Sequence, residues 1–215
     1  VHVLADVQAA VQAVLVEWGQ IDVLFNNAGF GRRDWLEGVD AQENIVGQIQ
    51  VNLTGAIWMA QAVLPGMIAR RQGHIINMGS VASFVAAPTY AVYSASKFGI
   101  RGFTEALRRE AHFYGIQVSG IYPGGVETEF AEKAHIRRKT RIATPALLRL
   151  SAGQVAESVL SLVRRPRRSL VIPWPMRLAI FVERLLPGLA DWVIETGFVR
   201  RGRGKIGGGG RGRRR

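Results

Sequence analysis

The 215-residue chain contains no cysteine and only four histidines. The absence of cysteine excludes disulfide bonds, thiolate metal sites and cysteine nucleophiles, and it fits a reducing compartment. His2, His74, His112 and His135 are scattered along the chain and do not have the spacing of metal ligands. We therefore expect no metal centre, and we expect a cytoplasmic protein.

Long apolar runs and acidic residues are also scarce. No run reaches the roughly 18 to 20 residues that span a bilayer, and residues 1–12 lack the charged flank of a signal peptide. The net charge is +12, but residues 200–215 hold eight basic and no acidic residues, and without them it falls to +4. This Gly/Arg-rich tail predicts disorder and non-specific attraction to nucleic acid, but it lacks the aromatic residues that would stack on bases.

Short apolar runs alternate with longer amphipathic stretches, and this alternation predicts the fold class. The pattern predicts strands over residues 21–25, 74–78, 116–122 and 169–172. It predicts helices over residues 7–18, 41–69, 89–114, 152–164 and 176–194. Pro65 and Gly66 are expected to bend or end the second helix, and Pro187 to interrupt the last one. Alternating strands and helices indicate one α/β domain with a parallel sheet, which we assign to residues 1–199.

A tyrosine and a lysine, Tyr93 and Lys97, lie four residues apart near the start of a predicted helix. This spacing places both side chains on one helix face. A neighbouring ammonium group favours the phenolate and lowers the pKa of a tyrosine, so the pair could exchange protons near neutral pH. By itself the spacing is common, and a solvated helix face is the alternative interpretation.

Polar and glycine-rich segments follow three of the predicted strands. Ser80 comes just after the strand that ends at Met78, and residues 26–29 and 123–128 follow the neighbouring strands. The carboxyl ends of parallel strands meet at one edge of a sheet, where α/β proteins bind ligands. We therefore expect Ser80 to lie beside Tyr93, with Ser83 as an alternative that the spacing disfavours.

Together these segments resemble the short-chain dehydrogenase/reductase family, which comprises Rossmann-fold enzymes that use NAD or NADP. The resemblance covers residues 1 to about 172 and implies a Rossmann-type parallel sheet with helices on both faces. The matching residues occur in the family's order: Asn26-Asn27-Ala28-Gly29, Asn52, Ser80, Tyr93 with Lys97, and Pro123-Gly124 followed by Val126 and Thr128.

The resemblance implies a role for each matching residue. Tyr93 would exchange a proton with the reacting oxygen, and Ser80 would orient that oxygen. Lys97 would lower the Tyr93 pKa and hold the nicotinamide ribose, and Asn52 would bind a water molecule that links Lys97 to solvent. The cofactor contacts would be Asn26, Ala28, Gly29, Tyr93, Lys97, Pro123, Gly124, Val126 and Thr128. We favour NADP over NAD, although no residue decides between them.

The family pattern begins with a strand, a glycine-rich turn and a helix that this sequence does not contain. Its first residues match the family from just after the third strand, so we expect a sheet that lacks the first three strands. The strand over residues 21–25 then becomes an exposed edge. We interpret the sequence as part of a longer enzyme, and we expect the isolated chain to bind cofactor weakly or not at all. The G-x-G-x-x-G spacing at residues 202–207 follows no strand and is a chance match.

The substrate and partners are predicted from the apolar helical extension over residues 174–196 and from the long helices. The extension would cap the substrate cleft or form a subunit interface, with contact to a membrane surface as the alternative, because arginines surround it. An apolar lid would suit a hydrophobic ketone or alcohol, with Phe84, Phe130 and Trp174 as pocket walls. The long helices resemble those that form homo-oligomers in the family. A catalytically silent partner subunit is an alternative function.

Overall fold

Four parallel strands form the central sheet of the computed structural model, which describes residues 1–127 and 145–199. The strands described are β1 (Val23–Asn26), β2 (His74–Met78), β3 (Gln117–Pro123), β4 (Val126–Glu127), β5 (Leu150–Ser151) and β6 (Ser169–Ile172). The central sheet has the order β1-β2-β3-β6, and β4 and β5 pair separately, also in parallel. All four predicted strands are confirmed to within two residues at their ends.

Six helices of eight or more residues surround the sheet in the described part of the chain. They are α1 (Leu4–Trp18), α2 (Ala41–Arg70), α3 (Ala91–His112), α4 (Ala152–Arg164), α5 (Met176–Leu185) and α6 (Pro187–Ile194). Short 3-10 turns cover Leu36–Gly38, Val81–Ser83 and Ala146–Leu148. The predicted helix boundaries are close to these, and the predicted break at Pro187 is confirmed.

Helix α2 differs from the prediction in two ways. It continues through Pro65 to Arg70, so of the two predicted effects of Pro65 and Gly66, a bend or an end, the structure contradicts the end. Val63 and Met67 lie on either side of Pro65 and are buried in the core, and this packing offsets the hydrogen bond that proline removes. Two of its segments, Ala41–Val46 and Gln50–Thr54, are π-helical.

Helix α2 also corrects the expectation that no apolar stretch is long enough to span a bilayer. An 18-residue window of this helix is apolar enough to cross a membrane by length and composition. Ala60, Val63 and Met67 instead pack into the core against β1 and β2. We therefore assign α2 to the core of the domain.

Side chains that alternate along the strands build a hydrophobic core on each face of the sheet. On one face, Leu24, Ile75 and Val118 pack against residues of α1, α2 and α3. On the other face, Ile76 and Ile121 pack against α4 through its residues Val155, Val159 and Leu162. Burial of each large aliphatic side chain contributes about 1.5–3 kcal/mol. The predicted arrangement, a parallel sheet with helices on both faces, is confirmed.

Strand β1 lies at one edge of the sheet, as expected, and its first residue Val23 is 40% exposed. No strand within residues 1–127 and 145–199 pairs with its outer side. A groove of about 620 Å³ runs between this edge and α1, and it is lined by apolar residues that include Val14 and Met59. This groove is separate from the carboxyl ends of the strands.

The buried imidazole of His74 makes the stability of the fold depend on pH. Its Nε2 lies 2.8 Å from Ser119 Oγ, while its Nδ1 has no partner among the described residues. Burial lowers the His74 pKa below 6.5. The fold therefore favours the neutral ring, and this contribution is complete above pH 6.5 and is lost as the pH falls below it.

We expect the free energy of unfolding to decrease by up to about 1.4 kcal/mol per pH unit below pH 6.5 because of His74. His74→Gln, which retains a hydrogen-bonding side chain, should lose this part of the pH dependence. The measurement is urea denaturation of both proteins at a series of pH values. Equal pH slopes for the two proteins would contradict the assignment.

Candidate active site

A cleft of about 530 Å³ lies at the carboxyl ends of β1, β2 and β3. It combines residues from these three strand ends with residues from α3 and α4. Its lining consists of Phe25, Asn27, Gly29, Met78, Gly79, Ser80, Tyr93, Lys97, Pro123, Gly124, Val126, Ala152, Val155, Ala156 and Val159. The structure thus brings Ser80, Tyr93 and Lys97 together at the edge where the sequence predicts them.

Ser80 and Tyr93 share a side-chain hydrogen bond in this cleft. Tyr93 lies in the first turn of α3, and Ser80 precedes the 3-10 turn after β2. The Ser80 hydroxyl also accepts a hydrogen bond from the Ala82 amide at 3.1 Å. Ser83 is fully buried and accepts from the Ser80 amide at 3.2 Å, so it supports Ser80 and does not line the cleft.

Lys97 lies one helical turn after Tyr93 and is almost completely buried. Its Nζ donates a hydrogen bond to the Met78 carbonyl oxygen at 2.9 Å and lies 5.8 Å from the centroid of the Tyr93 ring. Burial lowers the Lys97 pKa to about 8. The ammonium group is therefore poised to lose or gain a proton slightly above neutral pH.

The pKa of Tyr93 differs from the expectation that Lys97 lowers it. Burial raises the Tyr93 pKa to about 12, while the hydrogen bond from Ser80 lowers it and Tyr90 raises it. Lys97 loses its proton near pH 8, so it is neutral at the pH where Tyr93 would ionise. In this arrangement Tyr93 is a protonated phenol at neutral pH, suited to donate a proton.

Asn52 holds the loop that follows β1 against the start of α3. It lies in the second π-helical segment of α2, a feature that often accompanies functional sites. Its Oδ1 accepts from the Phe30 amide at 2.9 Å, and its Nδ2 donates to the Phe30 carbonyl at 2.8 Å. The same Nδ2 also donates at 3.1 Å to Ser96 Oγ, which donates at 2.7 Å to the Tyr93 carbonyl. Asn52 is therefore linked to the backbone that carries Tyr93.

Gly29 lies between Asn52 and Lys97, at a position that leaves little room for a side chain. A Cβ atom there would lie 3.0 Å from Asn52 Oδ1 and 3.7 Å from Lys97 Nζ. The first distance is tighter than ordinary van der Waals contact. Glycine thus lets the loop after β1 approach both polar side chains and line the cleft.

The remaining predicted cofactor contacts divide into two groups. Pro123, Gly124 and Val126 line the cleft, whereas Thr128 lies outside the described residues. Asn26 and Ala28 do not line this cleft but line a separate, smaller pocket, and their contact with the cofactor stays a prediction.

Asn26 is turned towards the opposite face of the sheet, where it braces two elements. Its Nδ2 donates to Asn77 Oδ1 at 2.9 Å and to the Ala56 carbonyl at 3.2 Å. Asn77 in turn donates to Thr104 Oγ1 at 2.9 Å. This chain of side chains connects β1, β2 and α3 behind the cleft, so the role of Asn26 in the structure is to hold the strands and helices together.

Two sets of lining residues were not predicted. Asn27 follows Asn26 and presents its side chain to the cleft. Ala152, Val155, Ala156 and Val159 form one wall of the cleft, and their spacing places them on one face of α4. That periodicity shows that α4 has a buried face, but it does not show that the face borders a cleft.

Two of the predicted aromatic walls, Phe84 and Trp174, are not among the residues that line the cleft. Phe84 packs edge-on against Tyr122 with ring centroids 4.8 Å apart, and the Arg101 guanidinium lies 4.2 Å from its ring centroid. Trp174 is 76% exposed, and Phe130 lies outside the described residues. None of the described residues of α5 or α6 is among the lining residues, although Met176 of α5 lies beside Gly124 at the cleft, so a cap formed by this extension stays a prediction.

Thr89, just before α3, is held in a strained conformation. Its φ angle is 70°, a left-handed conformation that β-branched residues rarely adopt. Its side chain is buried, and its Oγ1 has no partner among the described residues. Its carbonyl accepts a hydrogen bond from the Asp34 amide at 3.1 Å, which fixes the loop after β1 to this segment.

We expect Thr89→Gly to increase the free energy of unfolding by about 1 kcal/mol, because it removes the backbone strain and the unpaired hydroxyl. Thr89→Ala keeps a Cβ atom at a positive φ angle and should gain less. Urea denaturation of the three proteins gives the comparison. A glycine variant that is less stable than the alanine variant would show that the strain is absent.

The sheet and its helices define a Rossmann-type α/β fold, and Ser80, Tyr93 and Lys97 meet in the cleft at the carboxyl ends of its strands. A family model described as short chain dehydrogenase matches residues 1–139. The chain belongs to the short-chain dehydrogenase/reductase family.

Curated relatives and solved structures agree with this assignment. A 3-ketodihydrosphingosine reductase of Bacteroides thetaiotaomicron is 39% identical over 134 residues, which are 62% of this chain and 49% of that protein. The human retinol dehydrogenase 8 is 43% identical over 117 residues, which are 54% and 37% of the two chains. The chain thus spans about half the length, or less, of these two relatives.

A gluconate 5-dehydrogenase of Burkholderia cenocepacia, solved in complex with NADP and tartrate, has a similar structure. The TM-score is 0.68 and the sequence identity is 30%. The match covers 80% of this chain and 70% of that one. The similarity therefore extends over most of the sheet and its surrounding helices.

Proposed function

We propose that the cleft interconverts a carbonyl and an alcohol on a hydrophobic small molecule, with a nicotinamide dinucleotide as the redox cofactor. One observation carries this proposal: Ser80, Tyr93 and Lys97 meet in a single cleft at the carboxyl ends of the strands. A phenol hydrogen-bonded to a serine and next to a buried lysine is an arrangement suited to general acid and base catalysis.

Tyr93 is the proton donor in the direction of carbonyl reduction. Its raised pKa of about 12 keeps it protonated at neutral pH, and an alkoxide formed from a carbonyl is a stronger base than its phenolate. The hydroxyl group of Ser80 shares a hydrogen bond with Tyr93, so both groups can contact the same substrate oxygen. Ser80 thereby orients that oxygen towards the phenol.

Lys97 stabilises the phenolate that forms when Tyr93 donates its proton. With a pKa of about 8 it is mostly protonated at neutral pH, and its Nζ lies 5.8 Å from the centroid of the Tyr93 ring. A charge at this distance in a buried site favours the phenolate during turnover. Asn52 contributes indirectly, because its hydrogen bonds to the Phe30 backbone fix the loop that carries Gly29.

The cleft residues fit a nicotinamide cofactor. Gly29 and Gly124 expose their backbone to the cleft without a Cβ atom, and Asn27 and Lys97 supply polar groups beside them. These residues would hold the cofactor, and the bound cofactor supplies the hydride. We favour NADP, and the solved relative of 30% identity that contains NADP supports this choice.

The substrate class follows from the apolar wall of the cleft. Val155, Ala156 and Val159 of α4 lie opposite the polar groups and suit a hydrocarbon chain. The names of two relatives, a 3-ketodihydrosphingosine reductase and a retinol dehydrogenase, support a lipid-like ketone or alcohol. A catalytically silent protein is less favoured, because the proton-transfer groups are assembled.

We also propose that the protein acts in the cytoplasm as a homo-oligomer. The absence of cysteine supports a reducing compartment. The exposed Phe98 on α3 and Val46 on α2 support association through the two long helices.

A turnover assay tests the proposed activity. The purified chain is supplied with NADPH in large excess and with 2-decanone, and the loss of nicotinamide absorbance is followed. We expect cofactor oxidation that depends on the ketone and is faster than with acetone, because acetone cannot contact the wall formed by α4. Oxidation at the same rate without a ketone would contradict the proposal.

A further inference from the structure

Helices α5 and α6 carry a row of exposed apolar side chains, which we call the apolar hairpin face. Its members are between 47% and 76% exposed. They are Trp174, Leu178, Phe181, Leu185, Leu186, Leu189, Trp192 and Val193. Monomeric proteins rarely expose a contiguous apolar patch of this kind unless it contacts a partner or a membrane.

The helical spacing places these residues on the outer side of the hairpin. Positions 174, 178, 181 and 185 follow the repeat of one helix face, and 186, 189 and 193 continue it along α6. Ile180, on the inner side of α5, is buried. Met176 lies beside Gly124 at the cleft, with its Cγ 3.3 Å from an ideal Cβ position there. The inner side therefore holds the hairpin on the domain, and the outer side is largely exposed among residues 1–127 and 145–199.

Basic residues flank the apolar hairpin face. Arg177 and Arg184 lie on α5 beside the apolar row, and both are exposed. The sequence after Val199 adds eight basic and no acidic residues, so residues 174–215 hold ten basic and three acidic side chains. One of the three acidic residues, Glu183, has a carboxylate oxygen that is buried. Within residues 174–199 the two basic residues face three acidic ones, so the positive excess of this part of the chain comes from the sequence that follows Val199.

We propose that the apolar hairpin face docks on an anionic lipid surface. Apolar side chains would enter the boundary between headgroups and acyl chains, and the basic residues would contact the headgroups. The two tryptophans, Trp174 and Trp192, suit this boundary because they combine an apolar ring with a polar N–H group. A second copy of the chain fits less well, since it would bring another strongly positive segment to the same face.

The charge and the apolar area make separate contributions, so they can be tested separately. The purified chain is sedimented with vesicles of phosphatidylcholine alone or mixed with phosphatidylserine. We expect binding to the mixed vesicles that is at least about ten-fold tighter than to phosphatidylcholine alone and that weakens as salt is added. Equal binding to both vesicle types, or no binding to either, would overturn the proposal.

A matched pair of variants tests the face itself. Phe181→Glu with Leu185→Glu should weaken binding to the mixed vesicles at least ten-fold. The control is Val16→Glu with Phe113→Glu, which changes two apolar residues that are 77% and 80% exposed elsewhere on the surface. The control should bind like the unchanged chain. If the control loses binding equally, or the Phe181 and Leu185 variant retains it, the face is not the docking site.

A fluorescence measurement tests the same face without introducing charged side chains. Brominated lipids should quench tryptophan fluorescence in the unchanged chain and in Trp18→Phe. Quenching should be lost when Trp174 and Trp192 are both replaced by phenylalanine. A dimer in solution that involves this face, together with unquenched tryptophans, would favour a second copy as the occupant and overturn the proposal.

Discussion

Tyr93→Phe is expected to lower the rate of carbonyl reduction about 10³-fold, within the range of roughly 10²–10⁴ that general acid catalysis contributes. The variant keeps the ring that is buried between α3 and the cleft, so the fold and cofactor affinity should change little. It removes only the phenol that shares a hydrogen bond with Ser80. The measurement is turnover of 2-decanone with NADPH for both proteins at equal concentration.

Tyr90→Phe is the matched control for this prediction. Tyr90 lies on the same segment, with its ring centroid 5.8 Å from that of Tyr93, but it does not line the cleft. We expect its loss to change turnover less than ten-fold. A Tyr93→Phe protein that keeps most of its activity, or a Tyr90→Phe protein that loses as much, would show that Tyr93 is not the acid.

Lys97→Met is expected to abolish most turnover and to make the protein more stable at neutral pH. Burial lowers the Lys97 pKa from 10.5 to about 8, so the fold disfavours the protonated side chain. This cost is on the order of 3 kcal/mol below pH 8, at about 1.4 kcal/mol per pKa unit. A methionine of similar length avoids the cost but loses the hydrogen bond to the Met78 carbonyl, so we expect a net gain of about 1–2 kcal/mol.

The sign of the pH dependence provides an independent check on Lys97. Because the pKa is lower in the folded state, the unfolded chain binds more protons between pH 8 and 10.5. The free energy of unfolding of the unchanged chain therefore rises with pH across this window because of Lys97. The methionine variant lacks this part of the pH dependence.

A comparison of denaturation midpoints across this pH range isolates the contribution of Lys97. Lys97→Arg should be less stable than either protein, because a buried guanidinium cannot lose its proton. Parallel pH profiles for the unchanged chain and Lys97→Met would contradict the assignment.

The positions of Ser80, Tyr93 and Lys97 could be predicted because they depend on local rules. A parallel strand brings the residues after it to one edge of the sheet, and a spacing of four brings two side chains to one helix face. Both rules apply within a few residues of the side chains concerned. The structure places the three residues in one cleft accordingly.

The direction of the Asn26 side chain could have been predicted from the alternation of side chains along a strand. It is the last residue of β1, and side chains along a strand point alternately to opposite faces. Phe25 lines the cleft, so Asn26 points away from it and bonds Asn77. Strand alternation therefore predicts that Asn26 and Asn27 face opposite sides of the sheet, which the motif alone does not show.

Other features depend on contacts between distant parts of the chain and could not be predicted. The wall of the cleft formed by α4 depends on how this helix packs across β3, more than twenty-five residues earlier in the sequence. The raised pKa of Tyr93 depends on burial, which the spacing of Tyr93 and Lys97 does not show. The exposure of Trp174 likewise follows from the direction in which α5 leaves the sheet.

Transfer of deuterium from labelled NADPH tests the central claim most directly. The purified chain is supplied with excess NADPH that carries deuterium at the reactive carbon of its nicotinamide ring, together with 2-decanone. The proposed function predicts 2-decanol with one deuterium at the carbinol carbon, and almost no product from Tyr93→Phe under the same conditions. Unlabelled alcohol, or equal labelled product from both proteins, would contradict the account.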